Sequence, residues 1–424
     1  MSELTQAGES EGGPKPAPDP GQATAPPTPP VPSQKDRMRR EWFTSVLTGY
    51  WVLLVGVIAF AFTSAVAWMP FDGLEGKGGP APSTPGQLLK MWHRWDTDWY
   101  TIIADAGYEY DSRATAFFPL YPMLMRILNP VLPGDSFEAG IVVSVLASWA
   151  ALVLVHRLTA EMLGPAHALR TTYYLLAFPT GFYMVAVYNE SLFIALAVAS
   201  LYCMRRGHWW MAGTFAGFAS ATRMAGVVLG LAFIYEYLRQ RGWRWRDIRL
   251  NALAVGLVPA GLVAFMIYCY RTFGDPLHFL ESQKNWFRYG YQWPWTTLGE
   301  VVDLIRRTEP LFGPTNMRNI INLTVALVTL TLLVLALVGP WKLGKDHAYL
   351  VLFAAAIILL PMSNPIRSDY PLSSMWRYAL ECTVAFMVLA RMGRNRVVDR
   401  GYLAAALMVQ GAMIVAFVHD QFVG

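Results

Sequence analysis

The chain has 424 residues, 54% of them hydrophobic and only 15% charged, with a formal net charge of +5. Soluble domains carry about 25% charged residues, so the composition excludes an ordinary soluble globule. In so apolar a chain the surplus of Lys and Arg reads as loop topology, not as a nucleic-acid surface. The three cysteines, Cys203, Cys269 and Cys382, stand in or beside apolar runs. They offer neither a disulfide framework nor zinc spacing and read as small buried hydrophobes.

Residues 1–34 are rich in Pro, Gly, Ala and Ser and lack aromatics. Such a segment cannot bury enough surface to fold and is expected to be a disordered cytoplasmic tail, leaving 35–424 as an integral membrane domain. Apolar runs of up to about twenty residues, enough for a helix to cross a bilayer, fall near 44–69, 138–160, 171–188, 190–204, 209–238, 250–272, 319–341, 347–362, 376–391 and 401–418. The expected fold is therefore all-α, a polytopic helical membrane protein of about ten to eleven segments. The basic run "KDRMRR" (35–40) precedes the first span, which argues for a cytoplasmic N-terminus. Loops of about 70–137, 273–318 and 363–375 then lie outside.

The span 209–238 breaks the alternation, because strongly basic clusters flank it on both sides. Two short helices turning near Thr222–Arg223 would put both ends on the cytoplasmic side and carry Arg223 to an interior or outer site. A single tilted helix with a snorkelling arginine is the alternative.

In the first outer loop, residues 86–106 have helical periodicity. Trp92, Trp95, Trp99, Ile102, Ile103 and Ala106 share one face, and Arg94, Thr97, Asp98, Thr101 and Asp105 the other. An amphipathic helix at the membrane interface is expected. Asp96 falls at the margin of the apolar stripe. It reads either as a general base in a partly dry pocket or as the cap of a helix beginning at Thr97. Downstream, "ATAFFPLYPMLMRIL" (114–128) reads as a short interfacial segment that lines a lipid groove or packs as a loop. Asn189 is expected to cap the next helix, with Glu190 at its positive end or turned toward the first loop. The late loop brings Arg367 and Arg377 to the same side, as flanks or as phosphate partners. No glycine-rich phosphate loop, paired-histidine metal site or nucleophile elbow is present.

The ordered motifs "RWDTDWYTIIADAGY", "AFFPLYPMLMRIL", "FPTGFYMVAVYNESLF", "ATRMAG", "FGDPLHFLESQKNW" and "MWRYALE" resemble the bacterial branch of the phosphatidylinositol-glycan class V (PIG-V) mannosyltransferases, in glycosyltransferase superfamily C. The resemblance runs from about residue 40 to the C-terminus. It implies a multi-pass enzyme of the cell membrane with its active site on the extracytoplasmic side. The donor would be a polyprenyl-phosphate sugar, by analogy mannose, and the acceptor a hydroxyl on a glycan, lipid or protein. The family's catalytic acid maps onto Asp96 as general base. Asp98, Trp99, Tyr100 and Glu190 become acceptor-side or supporting residues. Arg223 and Arg377 become partners of the donor phosphate, and Phe118 and Tyr121 partners of its lipid. Asp98 is expected to face water, unlike the second acid of the Asp-x-Asp pair of related enzymes, and "ATRMAG" lacks a proline expected at the hairpin tip.

The leaving group, a phosphate monoester, is already a competent anion. A base and stabilising cations therefore suffice, and no cofactor or metal is required. Two rivals are a transporter or flippase for a lipid-linked sugar and the same enzyme class with another sugar. Transporters often carry repeated halves, and no internal repeat is evident.

Overall fold

The computed structural model describes residues 33–67, 83–285 and 290–423. The proline-rich tail and the start of the loop expected over 70–137 lie outside these residues. The chain divides into a leading segment, Met1–Arg40, which includes the start of the first helix, and a body, Glu41–Gly424, which carries the candidate site. No strand element occurs among the described residues.

The long loop after α1 (Gln34–Val66) holds α2 (Pro85–Lys90), α3 (Asp96–Ala106) and α4 (Leu120–Leu128). The single helix expected over 86–106 is thus two helices. They are separated at Trp95, whose φ of 57° is left-handed. Tertiary partners explain the break. The Tyr188 hydroxyl donates to the Arg94 carbonyl (3.1 Å), Arg94 Nη2 donates to the Val418 carbonyl (3.1 Å), and Trp92 Nε1 donates to Ser64 (3.1 Å). Restarting the helix at Asp96 also changes its faces: Thr97 and Thr101, expected to be wet, are buried, while Trp95 is exposed. Arg126 of α4 closes the far end of α3 by donating to the Ala104 and Asp105 carbonyls.

Helix α5 (Ser136–Leu163) starts from a capping box made by Asp135 and Glu138 and is followed by α6 (Pro165–Ala177). The span expected at 171–188 is corrected here. Pro165 sits in the first turn of α6, and the helix ends before Phe178–Pro179, as the residue before a proline resists helical backbone. Gln410 then supplies the donors for the terminal Leu176 and Phe178 carbonyls. An irregular stretch leads to α7 (Glu190–Arg205), α8 (Trp209–Thr222) and α9 (Leu229–Gln240). Arg223 is extended, and the chain reverses there. Trp209 at the start of α8 meets Phe233 and Tyr237 of α9, with ring centroids 5.1 and 4.8 Å apart. A Cβ on Gly226 would strike the backbone of Ala219 and Ser220 inside this turn. The long-helix alternative for 209–238 is thereby excluded.

A 3-10 stretch, Leu250–Leu257, meets α10 (Ala260–Phe273) at 45° across Pro259. A Cβ on Gly261 would overlap the Gly217 carbonyl, so this pair of glycines seats α10 directly on the hairpin. The remaining helices are α11 (His278–Lys284), α12 (Pro294–Arg307), α13 (Pro314–Leu337), α14 (Ala348–Ser363), α15 (Met375–Glu381), α16 (Thr383–Met392) and α17 (Arg396–Val418). The expected span 376–391 is divided at Cys382 into α15 and α16. Among the described residues five helices are long and apolar enough to cross a membrane, or six with the bent pair. The other expected segments are built from shorter pieces, several of which break where a charged residue enters the interior. All three cysteines are free and buried.

Candidate active site

Three chain breaks converge at one end of the bundle. Asp96 opens α3, Glu190 opens α7, Arg223 occupies the hairpin turn, and Arg377 and Glu381 lie one turn apart on α15. The residues preceding Asp96 and α15, Trp95 and Ser374, both have left-handed φ, at 57° and 69°. Such backbone is uncommon outside glycine and is held only where the surroundings over-determine it.

The five side chains alternate in sign. Arg377 Nη1 lies 2.8 Å from Asp96 Oδ2, and its Nε lies 2.5 Å from Glu190 Oε1. Glu190 Oε1 is also 3.5 Å from Arg223 Nη1, and the same nitrogen pairs with Glu381. Aromatic rings flank both guanidiniums: Tyr183 and Tyr188 at 5.1 and 4.9 Å from Arg377, and Phe193 and Tyr378 at 5.8 and 5.4 Å from Arg223. The Glu190 and Glu381 side chains are fully buried, whereas Asp96 keeps 20% of its surface exposed. One oxygen of each glutamate, Oε2, is buried with no hydrogen-bond partner among the described residues. The row holds three carboxylates and two guanidiniums, so the acids are in excess.

Beside this row opens a cavity of about 620 Å³. Asp96, Arg223 and Arg377 form its charged wall. Phe117, Phe118, Met224, Ile357 and Leu360 form much of the apolar wall. Trp99 stacks on Phe117 at 5.7 Å and also faces the cavity. Burial, with Asp96 and Glu190 nearby, raises the Tyr100 phenol well above its usual range and keeps it protonated. Asp98 is exposed and pairs with His93 at 3.0 Å, although it too reaches the cavity. Among the described residues no three His, Cys, Asp or Glu side chains converge as metal ligands would.

Most residues marked in the sequence therefore meet here, but four placements differ. Tyr121 is fully buried behind the site, bonded to Ser144 at 2.7 Å and the Gly140 carbonyl at 3.0 Å, and does not line the cavity. Its ring fills the gap between α4 and α5, so it cannot meet a lipid. Asn189 does not cap α7 through its side chain but donates to the Thr222 carbonyl at 3.0 Å, tying α7 to the hairpin turn. Asp96 caps nothing: it is the first helical residue, and the capping position, Trp95, makes no side-chain bond. Arg367 is exposed and donates to Gln292. Glu381, Tyr183 and Tyr188 were not singled out in the sequence. The signal for Glu381 was its i, i+4 spacing from Arg377 inside an otherwise apolar run.

The fold resembles that of ArnT from Cupriavidus metallidurans bound to undecaprenyl phosphate, with a TM-score of 0.49, 13% identity, and coverage of 88% of this chain and 76% of that one. It also resembles the apo Archaeoglobus fulgidus oligosaccharyltransferase, with a TM-score of 0.44, 13% identity, and coverage of 88% and 56%. In sequence, the chain is 30% identical over 244 residues to the GPI alpha-1,6-mannosyltransferase 2 of Cricetulus griseus, covering 50% of this chain and 49% of that protein. It is 33% identical over 200 residues to the GPI mannosyltransferase 2 of Yarrowia lipolytica, covering 46% and 53%. The chain thus spans about half the length of these relatives. The family model described as mannosyltransferase (PIG-V) matches residues 82–295, from before Asp96 through Glu190 and Arg223 to the start of α12; the chain belongs to that family.

Proposed function

We propose that this protein transfers a hexose, mannose by its family, from a polyprenyl-phosphate donor to a hydroxyl acceptor on the extracytoplasmic side, with inversion at the anomeric carbon. The observation that carries the reading is the Asp96–Arg377 pair at the wall of a cavity that is charged on one side and apolar on the other. The acceptor oxygen attacks the anomeric carbon as its proton passes to the Asp96 carboxylate. The bond from that carbon to the phosphate oxygen breaks, and its electron pair leaves with polyprenyl phosphate. Arg377 and Arg223 offset the charge growing on the phosphate, and the apolar wall around Phe118 and Leu360 receives the first isoprene units.

Charge arithmetic sets the order of events. Both guanidiniums are already engaged by carboxylates, and a phosphate anion adds further negative charge to a row with an excess of acid. Arg377 is shared between Asp96 and Glu190, and of these two acids only Asp96 borders the cavity. The incoming phosphate therefore takes the Arg377 face that Asp96 holds, and Asp96 is released toward the acceptor as the donor seats. Glu190 remains behind as the fixed anchor of both arginines.

The test is a membrane-extract assay with labelled polyprenyl-phosphate mannose and a panel of hydroxyl acceptors. Asp96→Asn protein is present in the membrane at the wild-type level but loses nearly all transfer. Turnover by that variant at the wild-type rate would remove Asp96 from the mechanism. Movement of the label across the membrane without product would favour a transporter.

A further inference from the structure

We propose a second anion site at the end of the bundle opposite Asp96: a cleft that takes the phosphate headgroup of an acidic phospholipid. The cleft encloses about 440 Å³ where the end of α16, the start of α17, the start of α6 and the turn after α13 come together. Arg391, Arg394 and His167 supply its polar wall, and Trp341, Met392 and Val398 its apolar wall, with no carboxylate among the lining residues.

Elsewhere on the same end, Arg157, Arg205 and Arg206 each lie within 4.0 Å of Glu161, and Arg239 lies 2.7 Å from both Glu236 and Asp346. Asp399, in the first turn of α17, is taken by Arg170 at 3.7 Å and by the hydroxyls of Tyr173 and Tyr174. Arg391 donates to the Lys342 carbonyl, and among the described residues neither Arg391 nor Arg394 has a carboxylate partner. Two guanidiniums therefore face one cleft without a counter-charge.

The place of the cleft, at the ends of apolar helices, selects a lipid over a free ion. The apolar run of α13 ends at Leu337, four residues before Trp341, and that of α17 begins just beyond Arg400. Trp341 thus stands at headgroup level, where tryptophan is enriched. The apolar residues Trp341, Met392 and Val398 beside the guanidiniums suit a phosphodiester carrying its glycerol and chains. Basic clefts between membrane helices are a recognised way to hold such headgroups.

The test measures the thermal unfolding of the purified full-length chain in neutral detergent. Micelles are doped with phosphatidylglycerol or with phosphatidylcholine, and a third arm adds inorganic phosphate alone. Phosphatidylglycerol is expected to raise the midpoint by several degrees through preferential binding to the native state, and the other two additives to leave it unchanged. Arg394→Gln, whose side chain has no intramolecular partner to lose, is expected to keep the undoped midpoint and forfeit most of the phosphatidylglycerol shift. Arg391→Gln with Arg394→Gln should abolish it. An unchanged shift in Arg394→Gln and in the double variant would overturn the assignment, and an equal shift with inorganic phosphate would overturn the lipid.

Discussion

The two ends of this bundle use the same residue types to opposite effect. At the basic end Arg157 joins Glu41 (2.8 Å) and Glu161 (2.9 Å), and Arg239 joins Glu236 and Asp346. Several partners there are open to solvent, with Glu41 49% and Asp346 76% exposed. Such pairs tie helix ends together, and each contributes little where water screens it. At the Asp96 end the row is flanked by aromatic rings, over-supplied with carboxylate, and left with one buried oxygen on each glutamate that no described residue satisfies. Buried ion pairs are poor stabilisers compared with well-packed apolar residues. On the proposed reading, a row that keeps such costs beside a cavity is organised for a ligand. The difference between the ends teaches that burial and charge balance, more than the presence of arginine, separate topology from chemistry.

The sharpest way to break that contrast is at Asp96. Asp96→Asn is expected to lower transfer by about 10²–10⁴-fold, the range for loss of a general base. The same change removes the anion that competes for Arg377, so undecaprenyl phosphate should bind more tightly than to wild type, measured by equilibrium binding in detergent. An inactive variant with weaker or unchanged phosphate binding would keep the base and discard the exchange at Arg377. Next in size, Arg377→Lys keeps the charge but loses the planar fork that serves two acids at once. Transfer should fall about 10–100-fold, the worth of one or two charge-assisted hydrogen bonds, mainly as a rise in donor KM. Glu381→Gln leaves Arg223 with Glu190 alone. A smaller loss, under about tenfold and again in KM, is expected, with recovery in Glu381→Asp. A fall in thermal midpoint with no change in KM would make Glu381 merely structural.

Much of this was legible in the sequence because composition and long apolar runs determine where membrane helices can form. The hairpin at Arg223 followed from two basic clusters that could not lie on opposite sides. The structure contains that reversal, with Trp209 against Tyr237. The helix at 86–106 was misread for a tertiary reason. Periodicity cannot see that the Tyr188 hydroxyl, nearly a hundred residues away, takes the Arg94 carbonyl and helps break the helix at Trp95. The same break turned Thr97 and Thr101 inward, so the assignment of wet and dry faces failed although Asp98 and Asp105 are exposed. Tyr121 was placed in a lipid groove because its neighbours are aromatic, and only the fold shows its hydroxyl bonded to Ser144. Glu381 lies in an apolar stretch and nothing local says that Arg223 would meet it, so the sequence does not single it out.

The smallest expected effect sharpens the comparison from the other side. Arg206 lies 2.7 Å from Glu161 in a pair that keeps 35% and 15% of its two side chains exposed. Glu161 also has Arg157 at 2.9 Å and Arg205 at 3.8 Å and accepts from the Tyr202 hydroxyl at 2.8 Å. Removing one of three cations leaves that carboxylate neutralised and hydrogen-bonded. Arg206→Gln should therefore cost under about 1 kcal/mol of unfolding free energy, read from denaturant unfolding in detergent, and leave transfer untouched. At the Asp96 end no such redundancy exists, because there the acids outnumber the guanidiniums. A large loss of stability or turnover in Arg206→Gln would mean that the two ends are coupled through α5 and α7, and that the division between a scaffolding end and a reacting end is wrong.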